Sequence, residues 1–467
     1  MEYAMVIDGR SVTTGQWDDV INPAKGEPFA QCPRGTQANV EEAVGAAARA
    51  YKTWKTDVAV RRQALTDCAA AIQGRVQDIA AVLSQEQGKP MTAAMAEVFG
   101  ASIWFSYYAN LPLEPETLLD DGEKTIKVVR KPLGVVAAIT PWNFPVILLA
   151  WKLAPAWLAG NTVVAKPSPY TPLTSLMVAD ILKSIVPPGV LNVLSGGNEL
   201  GATLATHPLV RKISFTGSVA TGKKIMGYAV EDLKRVTLEL GGNDPAIVLD
   251  DVNPQAVAES LFWSAFQNSG QVCTAVKRLY VHEKVYDPIV AGLTELAKKT
   301  KVGPGTDPET KLGPINNKMQ LERVMGLVED AKKSGAKIEA GGVRLGGAGY
   351  FYPPTIVTNV GPGVRLVDEE QFGTALPVMK YSRVDDAIAQ ANATHYGLGG
   401  SVWTSNLERG TALAQELESG TAWVNHHMDI TPYAPFGGAK WSGIGYENGR
   451  WGYEAFTDLQ VVNTKKG

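Results

Sequence analysis

Hydrophobic positions change their spacing as the chain proceeds. Between residues 38 and 110 they recur every third or fourth position, as in Val40, Ala43, Val44, Ala47 and Ala48, which predicts Ala-rich amphipathic helices. Thr125–Val129 alternates apolar with polar residues and predicts a short strand ending near Pro132. From Val135 onward, short apolar runs alternate with helical segments. The runs Val135–Ile139, Thr162–Ala165, Val190–Leu194, Lys212–Phe215 and Arg235–Leu240 read as strands. Residues 146–158, Thr171–Ile185 and Ser218–Ala229 read as helices, and Pro187-Pro188-Gly189 is a stop signal. Such alternation predicts a parallel sheet covered on both faces. Sheets of this kind bind ligands beyond the carboxyl ends of their strands. Asn143, Lys166, Gly217 and Glu239 fall at those ends. After Gly242 the alternation restarts, with helices at 254–267, 285–299 and 319–334, a strand at Arg278–His282 and a Gly-rich loop at Gly341–Gly349. This second half reads as a second α/β domain, with no internal repeat.

The stretch 145–165 approaches membrane-spanning length. Lys152 lies within it, Pro155 would disturb a helix, and Gly160-Asn161 breaks it. The reading is a buried helix to about Leu158, a turn, and a strand at Thr162–Lys166, with no membrane span. A chain of 467 residues exceeds one ordinary core. Its 45% hydrophobic and 19% charged residues match a soluble globular protein, and a net charge of −3 gives no reason to expect nucleic acid or an anionic membrane as partner. The opening Met1-Glu2-Tyr3-Ala4-Met5 lacks the basic flank and apolar core of a secretory signal. Cys32, Cys68 and Cys273 are spaced for neither a disulfide framework nor a metal cluster, so the expected setting is reducing and cytoplasmic. Of the histidines only His426 and His427 adjoin, and neighbours point in different directions, so no metal is expected.

The chemistry concentrates in a few places. Cys273 follows the polar, glycine-containing Asn268-Ser269-Gly270-Gln271, where backbone can approach a substrate and a thiolate can be supported. Cys32 and Cys68 read as small buried hydrophobes. Glu239 interrupts the apolar run from Val236 to Leu240, a costly position for an acid without a use. Phe215 to Gly222 reads as strand, turn and helix start, whose N–H groups suit a pyrophosphate. Pro141-Trp142-Asn143, taken alone, is a turn signal.

Five blocks then stand together: ITPWNFP at 139–145, LELGG at 238–242, NSGQVC at 268–273, EEQFG at 369–373 and PFGGAKWSGIGYENG at 435–449. In this order and at these distances they resemble the hydrolytic, NAD(P)-dependent branch of the aldehyde dehydrogenase superfamily, along nearly the whole chain. The resemblance implies an α/β fold with a Rossmann-type cofactor domain, an α/β catalytic domain and a small bridging β-sheet. The expected boundaries are 1–113 and 133–241 for the cofactor domain and 242–441 for the catalytic domain. Segments 114–132 and 442–467 would form the bridge that joins copies into a homodimer or homotetramer.

The same resemblance implies oxidation of a small-molecule aldehyde to the acid. Cys273 matches the nucleophile, Glu239 the base that activates water against the thioester, and Asn143 the oxyanion donor. Lys152 and Glu447 match a proton-relay pair, and they read equally well as a buried salt bridge. Cofactor contacts would come from Ile139, Thr140, Pro141, Trp142, Lys166, Ser168, Pro169, Gly217, Ser218, Leu240, Glu370 and Phe372. The substrate pocket would be lined by Phe144, Trp151, Gln271, Val272, Thr274, Ile430 and Phe436, with plain core packing the alternative for its aromatic members. Pro169 replaces a glutamate common in the family, Thr374 a proline, and His426-His427-Met428 lies in a variable entrance loop. The first departure gives the expectation of NAD with tolerance of NADP. With no arginine in the pocket segments, and only Asp429 as a candidate acid, the reading leans to an uncharged aldehyde, aromatic ones included, and leaves aliphatic, amino- and semialdehyde substrates open. Glu239 argues against an acyl-transferring semialdehyde dehydrogenase. Retention of Cys273, Glu239 and Asn143 argues against an inactive binding or structural relative.

Overall fold

The computed structural model describes residues 3–113 and 116–466; the expected segment ends at 1–2, 114–115 and 467 lie outside them. Its first sheet has eight strands. The parallel core runs Arg235–Glu239, Val210–Thr216, Val135–Ile139, Thr162–Lys166 and Leu191–Val193. The register sets Thr216 beside Glu239 and Ile139 beside Lys166, so these residues share one sheet edge. Every residue of Val135–Ile139 and Thr162–Lys166 is buried, as the unbroken apolar runs require. Met5–Ile7 and Arg10–Val12 extend the far edge antiparallel. The other edge is closed by Gly443–Ile444, which pairs with Leu238 and Glu239. The chain thus returns to this sheet just after residue 441, inside the segment expected to be wholly bridging.

The Pro145–Ala159 helix is buried almost throughout. Pro145 sits in its first turn, where a missing N–H costs nothing. Pro155 was expected to disturb the helix, and the helix runs through it. Pro155 removes one internal hydrogen bond, but packing on all sides holds the remaining turns. Gly160, at φ 96°, ends the helix in the left-handed conformation. The helix expected over Thr171–Ile185 is shorter, Leu173–Leu182. Its first turn is capped by the buried Glu86 carboxylate, which accepts from Leu173 N–H at 2.8 Å and Thr174 N–H at 2.9 Å. Among the described residues no helix is long and apolar enough to cross a membrane.

The second sheet has seven strands, in the order Lys337–Ala340, Thr355–Thr358, Ala375–Tyr381, Val276–His282, Asp244–Val248, Gly399–Trp403 and Thr421–Val424. A three-stranded sheet of Thr457–Lys465, Lys124–Pro132 and Glu116–Asp120 stands apart from both. Along its outer strand Leu459, Val461 and Val462 are exposed. A hairpin of Trp17–Asn22 and Glu27–Pro33 completes the fold.

Candidate active site

Cys273 lies where the first sheet's carboxyl edge faces the start of the second sheet. The chain reaches it through an unusual turn. Asn268, Ser269 and Gly270 all have positive φ, at 53°, 57° and 71°. A Cβ on Gly270 would collide with the Gly373 carbonyl. Asn268 Nδ2 donates to the carbonyls of Asn143 (3.2 Å) and Gln271 (3.3 Å), and Ser269 Oγ to that of Gly313 (2.8 Å). Gln271 Nε2 donates to Asn268 O at 2.9 Å, while its Oε1 accepts from Asn316 N–H at 2.8 Å. The Gln271 side chain, expected to line the pocket, is therefore engaged in closing this turn. Asn143 Nδ2 donates to Gln271 O at 3.0 Å, which brings the expected oxyanion donor onto the nucleophile's loop.

Asn143 is held from behind by a pair that the sequence reading missed. Lys89, buried, donates to Asn143 O at 2.9 Å and to Glu97 at 2.5 Å, and its ammonium lies 3.9 Å from the Phe144 ring centre. Glu97 in turn accepts from Val146 N–H at 2.9 Å, at the start of the Pro145–Ala159 helix. Lys89 lies in the break between the Val76–Glu86 and Met91–Asn110 helices, inside a stretch read only as helical.

Glu239 ends its strand almost completely buried, and its Oε1 has no hydrogen-bond partner. Burial, and then the neighbouring Glu447 charge, raise its carboxyl well above the usual range, while Lys152 acts the other way. Burial followed by Glu239 likewise pushes the Cys273 thiol up. The free carboxylate oxygen and the thiol thus sense each other across the site. Lys152, fully buried, donates to Glu447 (2.6 Å), Thr216 Oγ1 (2.8 Å) and Ser214 Oγ (3.2 Å). The salt bridge expected of this pair is present, and Glu447 Oε2 stays unpartnered.

A second group of residues lies along the same sheet edge. Lys166 Nζ donates to the carbonyls of Pro167 and Gly196, both at 2.9 Å, and burial lowers its pKa to about 8. Ser168 Oγ accepts from Tyr170 N–H at 3.3 Å, and Pro169 is exposed in the adjoining turn. Glu199, not singled out from the sequence, adds a negative charge that acts on Lys166. Ser218 caps the Val219–Val230 helix by accepting from Thr221 N–H at 3.2 Å. Gly217 N–H donates to Glu239 O at 3.0 Å, and Leu240 packs so close to Gly222 that a Cβ there would meet it at 2.6 Å. Glu370 lies over Gly241, where any Cβ would strike its carboxylate, and it accepts from Gly242 N–H at 3.1 Å. Phe372 meets Trp142 edge-on, ring centres 5.3 Å apart. Ile139 and Thr140 are buried beside half-buried Pro141, and Thr140 Oγ1 has no partner. A helix start free of side-chain bulk, a lysine, a carboxylate over glycine and an open hydroxyl suit a dinucleotide.

On the far side of Cys273, Trp151 stacks on Trp104 (5.3 Å) and meets Phe436 edge-on (5.6 Å). Trp151 and Phe436 are buried, so much of their contact is core packing, while Phe144 and Ile430 are half-buried. Val272 and Thr274 flank the thiol; Thr274 Oγ1 is unpartnered. His426 is exposed and His427 buried. Among the described residues no group of His, Cys, Asp or Glu has the arrangement of a metal site.

The model of the Aldehyde dehydrogenase family matches residues 12–462. Retinaldehyde dehydrogenase 3 of Rattus norvegicus is 39% identical, over 98% of this chain and 91% of its own. The NAD+ complex of aldehyde dehydrogenase from Bacillus cereus superposes with a TM-score of 0.98 at 34% identity, covering 100% of this chain and 97% of that one. Betaine aldehyde dehydrogenase from Staphylococcus aureus, also in complex with NAD+, gives 0.96 at 32% identity, over 99% and 95%.

Proposed function

For a chain that belongs to the aldehyde dehydrogenase family, we propose that the residues gathered around Cys273 carry out the family's reaction in the following roles. The protein oxidises an aldehyde to the carboxylic acid with NAD. The observation that carries the assignment is the convergence of Cys273, Asn143 and Glu239 at one sheet edge, beside residues suited to a dinucleotide.

The Cys273 thiol gives its proton to solvent water, its sulfur adds to the aldehyde carbon, and the carbonyl electron pair moves onto oxygen. That oxygen is met by Asn143 Nδ2 and the Cys273 N–H; one such donor accelerates a reaction by about a hundred- to a thousand-fold. When bound, NAD accepts the hydride. Collapse of the oxyanion leaves a thioester on Cys273. Glu239 takes a proton from water, the water oxygen attacks the thioester carbon, and the carbon–sulfur bond breaks to free the acid and the thiolate. Lys152 and Glu447, with Thr216 and Ser214 in contact, form the route by which the proton held on Glu239 leaves. Lys166 and Glu370 would hold the two riboses of NAD, Gly217 and Ser218 its pyrophosphate, and Phe372, which meets Trp142 edge-on, would flank its nicotinamide end together with Trp142 and Leu240.

The cofactor segments are 1–113 and 133–241, completed by the returning strand Gly443–Ile444; the catalytic segment is 242–441, and the sheet of Glu116–Asp120, Lys124–Pro132 and Thr457–Lys465 bridges copies of the chain. The exposed apolar edge of Thr457–Lys465 supports pairing with a second copy, because such edges are ordinarily covered. Light scattering should give a dimer or tetramer mass, and a monomer at micromolar concentration would contradict the pairing.

Glu239→Gln should separate the half-reactions. Up to one equivalent of reduced cofactor per site should form rapidly, followed by slow turnover and an acyl mass retained on the protein. In the native protein deacylation should accelerate as pH rises, because only the carboxylate is a base and burial raises its pKa. This pH dependence should vanish in Glu239→Gln. Steady turnover near the native rate would remove Glu239 from the role.

NADP should be tolerated beside NAD. Pro169 has neither a side-chain acceptor for the 2′-hydroxyl nor a charge to repel a 2′-phosphate, and Lys166 can contact either group. Glu199 keeps some negative charge near Lys166 and opposes a full reversal. Pro169→Glu should sharpen the preference for NAD, mainly by weakening NADP use. The ratio of kcat/KM for the two cofactors tests this: a native preference for NADP above about tenfold, worth about 1.4 kcal/mol, or an unchanged ratio in the variant, would overturn it.

A further inference from the structure

We infer that Lys277 is a positioning residue for the nucleophile: its ammonium fixes and polarises the backbone around Cys273 and favours the thiolate. This rests on Cys273 as the nucleophile. Lys277 stands near the start of the Val276–His282 strand, four residues after the thiol, and its side chain is 3% exposed. It curls back under its own loop. Nζ donates to Cys273 O at 2.6 Å and to Val272 O at 2.9 Å, with Ala275 O at 3.5 Å. The Val272 carbonyl and the Cys273 N–H belong to one peptide group. A cation on the carbonyl oxygen draws electron density from that group and makes its N–H a stronger donor. That N–H is the one assigned to the developing oxyanion. The lysine therefore acts on the reacting oxygen through the peptide, without touching substrate.

The charges around the thiol point the same way. Glu239 faces it from the first sheet, Asp244 from the second, and Glu370 from the loop before Ala375–Tyr381. All three carboxyls oppose a thiolate, and Lys277 favours it. Lys277 Nζ is 3.7 Å from Glu370 and also acts on Asp244, whose carboxyl is fully buried with both oxygens unpartnered. Burial lifts Asp244 to about 7. His427, 3.8 Å from Asp244, supplies no charge: burial holds its pKa to about 3. Its Nε2–H donates to Thr274 O at 2.7 Å, and its Nδ1 accepts from Ser401 Oγ at 2.9 Å. A lysine serving only as counter-ion to Asp244 and Glu370 would have no need to contact the Val272 and Cys273 carbonyls.

The test is the pH profile of Cys273 alkylation by iodoacetamide without cofactor, with the modified residue located by peptide mass. In Lys277→Met the profile should move upward by at least one pH unit, giving about tenfold slower alkylation at pH 7, and should reach the native plateau at high pH. Lys277→Met/Asp244→Asn removes the carboxylate that the ammonium faces, which keeps the interior charge balanced; relative to Asp244→Asn it should show the same shift. An unshifted profile, or a lowered plateau without a shift, would overturn the assignment and leave Lys277 a packing residue. Native alkylation at a residue other than Cys273 would instead remove the underlying nucleophile reading.

Discussion

The left-handed turn at Asn268, Ser269 and Gly270 is the constraint on which the site depends. For residues other than glycine this conformation costs roughly 1–2 kcal/mol each, so Asn268 and Ser269 persist only because their surroundings hold them. Those surroundings are distant in sequence. Asn268 grips Asn143 from the first sheet's edge, Ser269 grips Gly313, and Gln271 is clamped by Asn316. Gly270 has room only for hydrogen against Gly373. The turn reverses the chain so that Cys273 leaves the second half of the molecule facing Asn143 and Glu239. Its geometry therefore exists only when both sheets are docked, which couples assembly of the catalytic group to completion of the fold.

Around that turn the protein buries an unusual amount of charge, and each case has a distinct use. Lys89 and Glu97 are both sealed in and spend their hydrogen bonds on the Asn143 carbonyl and the start of the Pro145–Ala159 helix. Lys152 and Glu447 keep one carboxylate oxygen open beside Glu239. Lys277 sits among Asp244, Glu370 and the carbonyls of the nucleophile's loop. Buried pairs contribute little net stability when compared with apolar residues of similar size. Here they fix backbone groups in place and set the protonation of the thiol and the base. Burial and their mutual repulsion raise both Cys273 and Glu239, so ionising one makes the other harder to ionise.

Much of the first sheet was legible because parallel strands buried on both faces read as unbroken apolar runs between glycine and proline signals. Val135–Ile139 matches expectation to the residue, and Thr162–Lys166 to within one. The amino-terminal strands were not legible: Met5–Ile7 and Arg10–Val12 are three residues each, and Trp17–Asn22 is mixed in burial. Asp244–Val248 begins with Asp-Pro, a turn signal, yet is a central strand. Cys273, Glu239 and Asn143 stood out through block resemblance, and the structure brings them together. Lys277 and Lys89 did not stand out, and His427 stood out only as part of a variable entrance loop, because their importance lies in which carbonyl or carboxylate they reach across the fold. Gln271 is a pocket residue by the resemblance, and its amide is hydrogen-bonded within the turn, a contact that only the fold reveals.

The account stands or falls on a covalent bond to Cys273. Cys273→Ala, checked for an unchanged fold by circular dichroism and for retained NAD binding by calorimetry, should form no reduced nicotinamide absorbance with any aldehyde the native protein oxidises. It should also leave no acyl mass after rapid quenching, whereas the native protein should carry that mass on the peptide containing Cys273. Substantial turnover by the alanine variant, or an acyl group found on another residue, would contradict it.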